Sequence, residues 1–300
     1  MWLRILIDFF IIVFILTLII GIRAVMPPRL KIFILPNDIG LPYEDIILQT
    51  KDGKKLKGWL IYSPKSKGII ICLHGYPANK SDILPVVEFL YPSFSLLLFD
   101  FRAHGESEGR VCYFGLKEYL DVESAIDFIK RDKKIKDLPI GIWGYSFGGA
   151  VGIISASKYK EIRAIVTDSS FANFPDMVKN YYKNLGPLKY IFSSFSIFLG
   201  KYVFRSDFKE NSPENFIDKI NCPILIIHSI NDDFVPFSHA EKLYELANNP
   251  KEIYKVEGKH IGLDRAYTNE YREKVKKFFD TYLIISEPGS EKGRGYGRNF

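Results

Sequence analysis

An α/β fold, with a mostly parallel central sheet flanked by helices, is predicted by three observations. Short runs of apolar residues, such as Gly68-Ile-Ile-Ile-Cys-Leu73, Ser95-Leu-Leu-Leu-Phe99 and Pro223-Ile-Leu-Ile-Ile-His228, read as strands buried on both faces, the pattern of a parallel sheet. Stretches with apolar residues at helical spacing separate these runs, so strand and helix alternate. Polar residues of reactive type follow the runs, where the carboxyl ends of parallel strands form a crevice.

The chain has 300 residues, enough for one large α/β domain, and its 47% apolar content suits a sizeable core. A net charge of +6 is spread among 35 acidic residues with no basic stripe, which speaks against nucleic acid as a partner. Cys72, Cys112 and Cys222 form no Cys-x-x-Cys pair and read as small buried hydrophobes.

Residues 1–28 are expected to be a membrane anchor. The apolar run from Phe9 to Ile22 is followed by Arg23 and the stop Pro27-Pro28. That run alone would reach about 21 Å as a helix, so a span of roughly 30 Å needs the flanking apolar residues, with Arg4 and Asp8 near the interface. A retained anchor is preferred to a cleaved signal peptide, because Asp8 lies inside the segment and no clean Ala-x-Ala site follows it. Arg23, Arg29 and Lys31 after the span, against Arg4 before it, lean toward a cytoplasmic catalytic domain.

Residues 29–42 read as a connector, and residues 43–285 as the main domain. Asp45-Ile-Ile-Leu-Gln-Thr50 and Lys55-Leu-Lys-Gly-Trp-Leu-Ile-Tyr62 form a hairpin about the Asp52-Gly53 turn. After strand 68–73 come a helix over 81–90, strand 95–99, an amphipathic helix over 118–130 and strand 140–143. A helix over 149–157 and strand 164–167 follow, and then the rhythm breaks. Residues 171–207 are crowded with aromatics, among them Phe174, Tyr181, Tyr182, Phe198 and Tyr202, and are read as a helical cap insertion in preference to plain core helix. Such a cap would cover the sheet's active edge and offer an apolar, acyl-sized slot. Strand 223–228, helix 238–247, strand 252–256 and helix 269–282 complete the domain, and residues 286–300, rich in Gly, Ser and charge, read as a disordered tail.

The chemistry centres on Gly144-Tyr-Ser-Phe-Gly148. A strand-to-helix turn that lifts Ser146 above the sheet needs flanking residues without bulk, which makes Ser146 the expected nucleophile. A serine hydroxyl needs an imidazole to take its proton and a carboxylate to fix that imidazole's tautomer. His260, on the loop after the last strand, is the expected base. His228 lies in a strand and reads as packed, His239 as solvent-facing at a helix start, and His74 and His104 as residues that shape their loops. Asp232 is preferred to its neighbour Asp233 as the acid, three residues before Val235-Pro236, and the order Ser146, Asp232, His260 is the nucleophile, acid, base order of one hydrolase class. Amides of Phe147, just after the nucleophile, and Tyr76, after His74-Gly75, are the expected oxyanion donors, since Pro77 has none to give. Arg102 is expected to hold its loop by a salt bridge, and no metal cluster or cofactor motif competes for the site.

Together, strand-His74-Gly75, Asp100-Phe-Arg-Ala-His-Gly-Glu-Ser107, Gly144-Tyr-Ser-Phe-Gly148, Asp232-Asp-Phe-Val-Pro236 and Gly258-Lys-His260 resemble the α/β-hydrolase superfamily over roughly residues 43–283. The anchor and Asp168-Ser-Ser-Phe171 look like the membrane-anchored serine hydrolases of the Bem46-like group. The resemblance implies Ser146, Asp232 and His260 as the triad, with Tyr76 and Phe147 as oxyanion donors. Ala103 before His104 departs from many relatives, which have glycine there; it touches one loop only. The resulting expectation is a serine esterase or thioesterase acting through an acyl-enzyme on apolar, lipid-like acyl substrates. A prolyl-oligopeptidase-like peptidase and a non-catalytic hydrolase-like binding protein are the alternatives.

Overall fold

The computed structural model describes residues 2–204, 208–260 and 268–283. The chain opens with helix α1 (Trp2–Val25), whose Trp2–Arg23 segment is long and apolar enough to cross a membrane. An extended strap follows. The Arg29 guanidinium donates to the carbonyls of Gly105, Ser107 and Gly109 at 2.9, 2.7 and 2.7 Å. The Asn79 amide donates to the carbonyls of Leu30 and Lys31, while Ile32 and Ile34 pack on the core. The strap is thus bound along its length to the domain.

Next come the hairpin β1 (Glu44–Gln49) and β2 (Lys55–Ile61), then β3 (Ile69–Leu73), α2 (Lys80–Val87), β4 (Ser95–Phe99), α3 (Tyr119–Arg131), β5 (Ile140–Tyr145), α4 (Phe147–Lys158) and β6 (Ile162–Asp168). Between β6 and β7 (Ile224–Ser229) lie α5 (Phe174–Tyr181), a short 3-10 stretch and α6 (Lys189–Phe204). The described chain ends with α7 (Ser238–Leu246), β8 (Lys251–Val256) and α8 (Asn269–Tyr282). The strands form one sheet in the order β1-β2-β4-β3-β5-β6-β7-β8. The β1–β2 and β2–β4 pairings are antiparallel and the others parallel.

The apolar runs follow from burial on both faces. In β3, Ile69, Ile71 and Leu73 join the core under α3, α4 and α7, while Ile70 and Cys72 join the core under α2 and α8. Each such side chain taken fully out of water stabilises the fold by about 1.5–3 kcal/mol. A polar line pins α8 to the sheet: Trp143 donates to the Tyr271 hydroxyl at 3.2 Å, and that hydroxyl donates to Asp168 at 2.9 Å.

The loop after β4 holds the ion pairs that the sequence suggested at Arg102. Its guanidinium bonds Asp121 at 2.6 and 2.8 Å and Asp52 at 2.7 and 3.1 Å. Burial disfavours the charge, but these carboxylates outweigh it and raise the pKa of Arg102. Lys80 is also buried, between Asp100 at 2.8 Å and Glu106 at 2.7 Å. Cys72 and Cys112 are buried and Cys222 is partly so. The expected tail over 286–300 lies outside the described residues.

Candidate active site

Strand β5 passes into α4 through a single residue, Ser146, whose φ of 51° and ψ of −112° put it in left-handed backbone space. Two bonds hold it there. Its amide donates to the Asp168 carbonyl at 2.8 Å, and its own carbonyl accepts from the Ala150 amide at 3.1 Å. The flanking glycines answer to close backbone approach: a Cβ on Gly144 would lie 2.6 Å from the Gly148 carbonyl oxygen, and one on Gly148 would lie 2.2 Å from that of Leu73. Gly-x-Ser-x-Gly is therefore a packing requirement at this turn.

The Ser146 hydroxyl oxygen lies 3.0 Å from Nε2 of His260, and Nδ1 of His260 lies 2.8 Å from Oδ2 of Asp232. All three side chains are buried. The other carboxylate oxygen, Oδ1, accepts from the amides of Phe234 and Val235 at 2.9 and 2.7 Å, so both ends of the group are fixed. Burial opposes ionisation of Asp232, yet the hydrogen bond and charge of His260 and the two amides hold its carboxyl below the ordinary range. An ionised Asp232 facing Nδ1 favours the tautomer with its proton there, which turns the lone pair of Nε2 toward the Ser146 hydroxyl.

Sequence reasoning did not reach the groups that brace this line. The Tyr145 hydroxyl donates to the His260 carbonyl, and the Tyr145 ring stacks on the imidazole with centroids 5.5 Å apart. Phe234 packs against His260 at 5.2 Å. His228, expected as a packed strand residue, is wholly buried, and its Nε2 donates to the Val235 carbonyl at 2.8 Å, bracing the loop that carries Asp232. Burial lowers its pKa and favours the neutral ring. No local signal marks these supports, since each depends on which loops meet.

The solvent-facing reading of His239 is corrected. The residue is 8% exposed, and its Nδ1 accepts from the Ala172 amide at 3.2 Å, because the chain entering the inserted helices runs over the start of α7. His74 and His104 shape their loops. Nδ1 of His74 donates to the Gly75 carbonyl at 2.7 Å while its Nε2 accepts from the Phe101 amide at 3.0 Å; Nδ1 of His104 donates to the Arg102 carbonyl at 2.9 Å. Burial lowers their pKa values to about 4 and about 3.

Phe147 opens α4, where first-turn amides lack helical partners and the helix dipole favours negative charge. Leu73 of β3 pairs with Gly144 of β5, so residues 74–76 run beside Tyr145 and Ser146. The rings of Tyr76 and Phe147 both pack on Phe114, at 5.4 and 6.2 Å, and on His104, at 5.6 and 6.3 Å. Both segments expected to supply oxyanion donors thus flank the serine. Phe174 of α5 lies 4.9 Å from Phe114 and stacks on Phe208 at 4.7 Å, extending the aromatic wall into the insertion. Asn180 and Lys183 donate to the carbonyls of Phe234 and Asp233, tying the insertion to the acid-bearing loop.

Comparison with known proteins agrees with this geometry. A family model described as alpha/beta hydrolase fold matches residues 68–192. The uncharacterized protein YfhR of Escherichia coli (strain K12) is 30% identical over 246 residues, 78% of this chain and 80% of that protein. Protein bem46 of Schizosaccharomyces pombe is 25% identical over 226 residues, 73% of this chain and 70% of that protein. Among solved structures, the esterase Pf2001 of Pyrococcus furiosus superposes with a TM-score of 0.74 at 28% identity, covering 87% of this chain and 99% of that one. With its sheet order, its strained serine turn and relatives that align along most of their length, the chain belongs to the alpha/beta-hydrolase fold family, in the Bem46-like group.

Proposed function

We propose that this hydrolase is a serine esterase or thioesterase that cleaves apolar acyl substrates through an acyl-enzyme. The observation that carries the reading is the unbroken line of hydrogen bonds from Ser146 through His260 to Asp232. In the first step the Ser146 oxygen attacks the acyl carbonyl while Nε2 of His260 takes its proton. Charge on the carbonyl oxygen develops toward the amides of Phe147 and Tyr76, in a site that burial keeps at low dielectric. The imidazolium, stabilised by Asp232, then protonates the departing alkoxide or thiolate. Water, deprotonated by the same nitrogen, releases the acid and restores the serine.

The aromatic wall of Phe114, Phe147 and Phe174 supports the preference for an apolar acyl group. Helix α1 supports anchoring in a membrane as residues 1–28, with the catalytic domain on the cytoplasmic side by the positive-inside bias. A fluorophosphonate probe, which esterifies activated serines, should label the detergent-solubilised full chain and not Ser146→Ala. Equal labelling of both proteins would remove Ser146 from the nucleophile's role. A series of esters and thioesters of increasing acyl length should give a length optimum, and a flat profile would discard the acyl slot.

A further inference from the structure

We propose that the outer face of the inserted helices is a second membrane-contacting surface, lying flat in the leaflet beside α1, so that acyl substrates reach Ser146 from the bilayer. The proposal rests on reading α1 as an anchor and the site as an acyl hydrolase.

One ridge of α6 carries Ile191, Phe198 and Tyr202, spaced by seven and four residues and 45, 52 and 68% exposed. Large apolar side chains standing together in water mark a contact surface. The ridge is continuous with α1. Val13 packs against Phe192 and Tyr182, and a chain of rings runs outward from Phe14 to Phe195 at 5.3 Å, on to Phe198 at 6.4 Å and to Tyr202 at 4.6 Å. A lipid phase that receives α1 therefore meets the ridge without crossing a polar gap.

Charge and length choose the occupant. Between residues 171 and 204 the basic residues are Lys179, Lys183, Lys189 and Lys201, against the single acid Asp176, which Lys179 holds at 2.8 Å. Lysine and tyrosine stand at both ends of this apolar helix, as Lys189-Tyr190 and Lys201-Tyr202, and both residue types favour the headgroup level of a bilayer. Two copies meeting through this face would bring like charges together, whereas anionic headgroups would neutralise them. At 16 residues, α6 extends about 24 Å and is too short to span the bilayer core, so it lies in the leaflet rather than across it. The end of α1 is tied to the domain as well. Arg29 and the Cys112 amide, which donates to the Val25 carbonyl at 2.8 Å, fix the end of α1 to the domain, so that α1 and the inserted helices approach the bilayer as one body.

The test uses the full chain in vesicles of phosphatidylcholine and phosphatidylserine. An environment-sensitive fluorophore is attached to Phe198→Cys, or to Lys65→Cys at the opposite end of the sheet, each in a Cys222→Ser background; the remaining cysteines are buried. At position 198 the label should be quenched by nitroxide-bearing phosphatidylcholine and protected from aqueous iodide, with the reverse at position 65. Iodide quenching at both positions would overturn the proposal. So would a label at position 198 shielded from both quenchers in a particle of twice the protomer mass, the signature of a second copy on this face. Phe198→Asp combined with Tyr202→Asp should leave hydrolysis of a water-soluble short-chain ester within about twofold and cut hydrolysis of a long-chain ester held in vesicles by about tenfold or more. Equal effects on the two esters would overturn the bilayer route. If the unmodified protein cleaved neither ester, the hydrolase reading would fall while quenching still decided whether the face is in lipid.

Discussion

The edge of the sheet that carries Ser146 and the inserted helices handle the same chemical types in opposite ways. At the edge, charge is inside: Arg102, Lys80 and Asp121 are nearly inaccessible, each satisfied by partners at hydrogen-bond distance. On the insertion, apolar surface is outside, and Tyr202 and Phe198 are among its most exposed side chains. Residue type alone does not decide burial. A charge goes inside where the fold brings its partners to it, and a ring stays outside where the fold brings nothing to cover it. One region holds a few atoms still, and the other leaves a row of rings uncovered.

The largest expected effect tests the still region. Asp232→Asn keeps the size of the side chain but favours the wrong tautomer of His260, and kcat on a short-chain ester should fall by about 10⁴-fold, with the denaturant midpoint little changed. A loss under about tenfold would mean that the hydrogen-bonded line is not the catalytic device. Arg102→Met comes next, because it leaves Asp121 buried without its cation. Unfolding in urea should show a loss of about 3–5 kcal/mol, against less than about 0.5 kcal/mol for Tyr202→Ser on the exposed ridge. Similar costs for the two substitutions would erase the contrast between the regions.

A smaller effect should appear with pH. His74 and His104 have folded pKa values of about 4 and about 3, depressed by burial from 6.5. Their neutral forms are bound by the fold, so the unfolded chain takes up more protons between these values and 6.5. The stability they contribute is complete above 6.5 and is lost as pH falls toward 4. Asn can replace the donor that His104 offers Arg102, so His104→Asn should lose less stability than the parent protein between pH 7 and 4.5, by on the order of 1–2 kcal/mol. Parallel urea midpoints for the two proteins across that range would exclude His104 from the effect.

Much of the sheet was legible because its strands are buried on both faces, which writes them as local apolar runs; β3, β4 and β7 fall within one residue of the runs that predict them. Ser146, Asp232 and His260 were legible because each lies on a loop at a strand end, and the structure joins them in one line. Long-range meetings were not legible. The burial of His239 depends on Ala172, far away in sequence, and the brace from Tyr145 depends on where the chain after β8 returns. The packing of α1 on α6 escaped for a related reason: an all-round apolar helix does not say which of its faces has a neighbour.

The grip of Arg29 has a consequence for how this protein can change. It holds Gly105, Ser107 and Gly109 by main-chain carbonyls alone. Such a clasp recognises the path of the loop and ignores what the loop displays. Side chains there reach the joint only through that path, and Ser107 holds it: its Oγ donates to the Asp100 carbonyl at 2.6 Å and accepts from the Lys57 amide at 2.9 Å. The joint thus couples the direction in which α1 leaves the domain to the course of a main chain, and to no side chain that Arg29 touches.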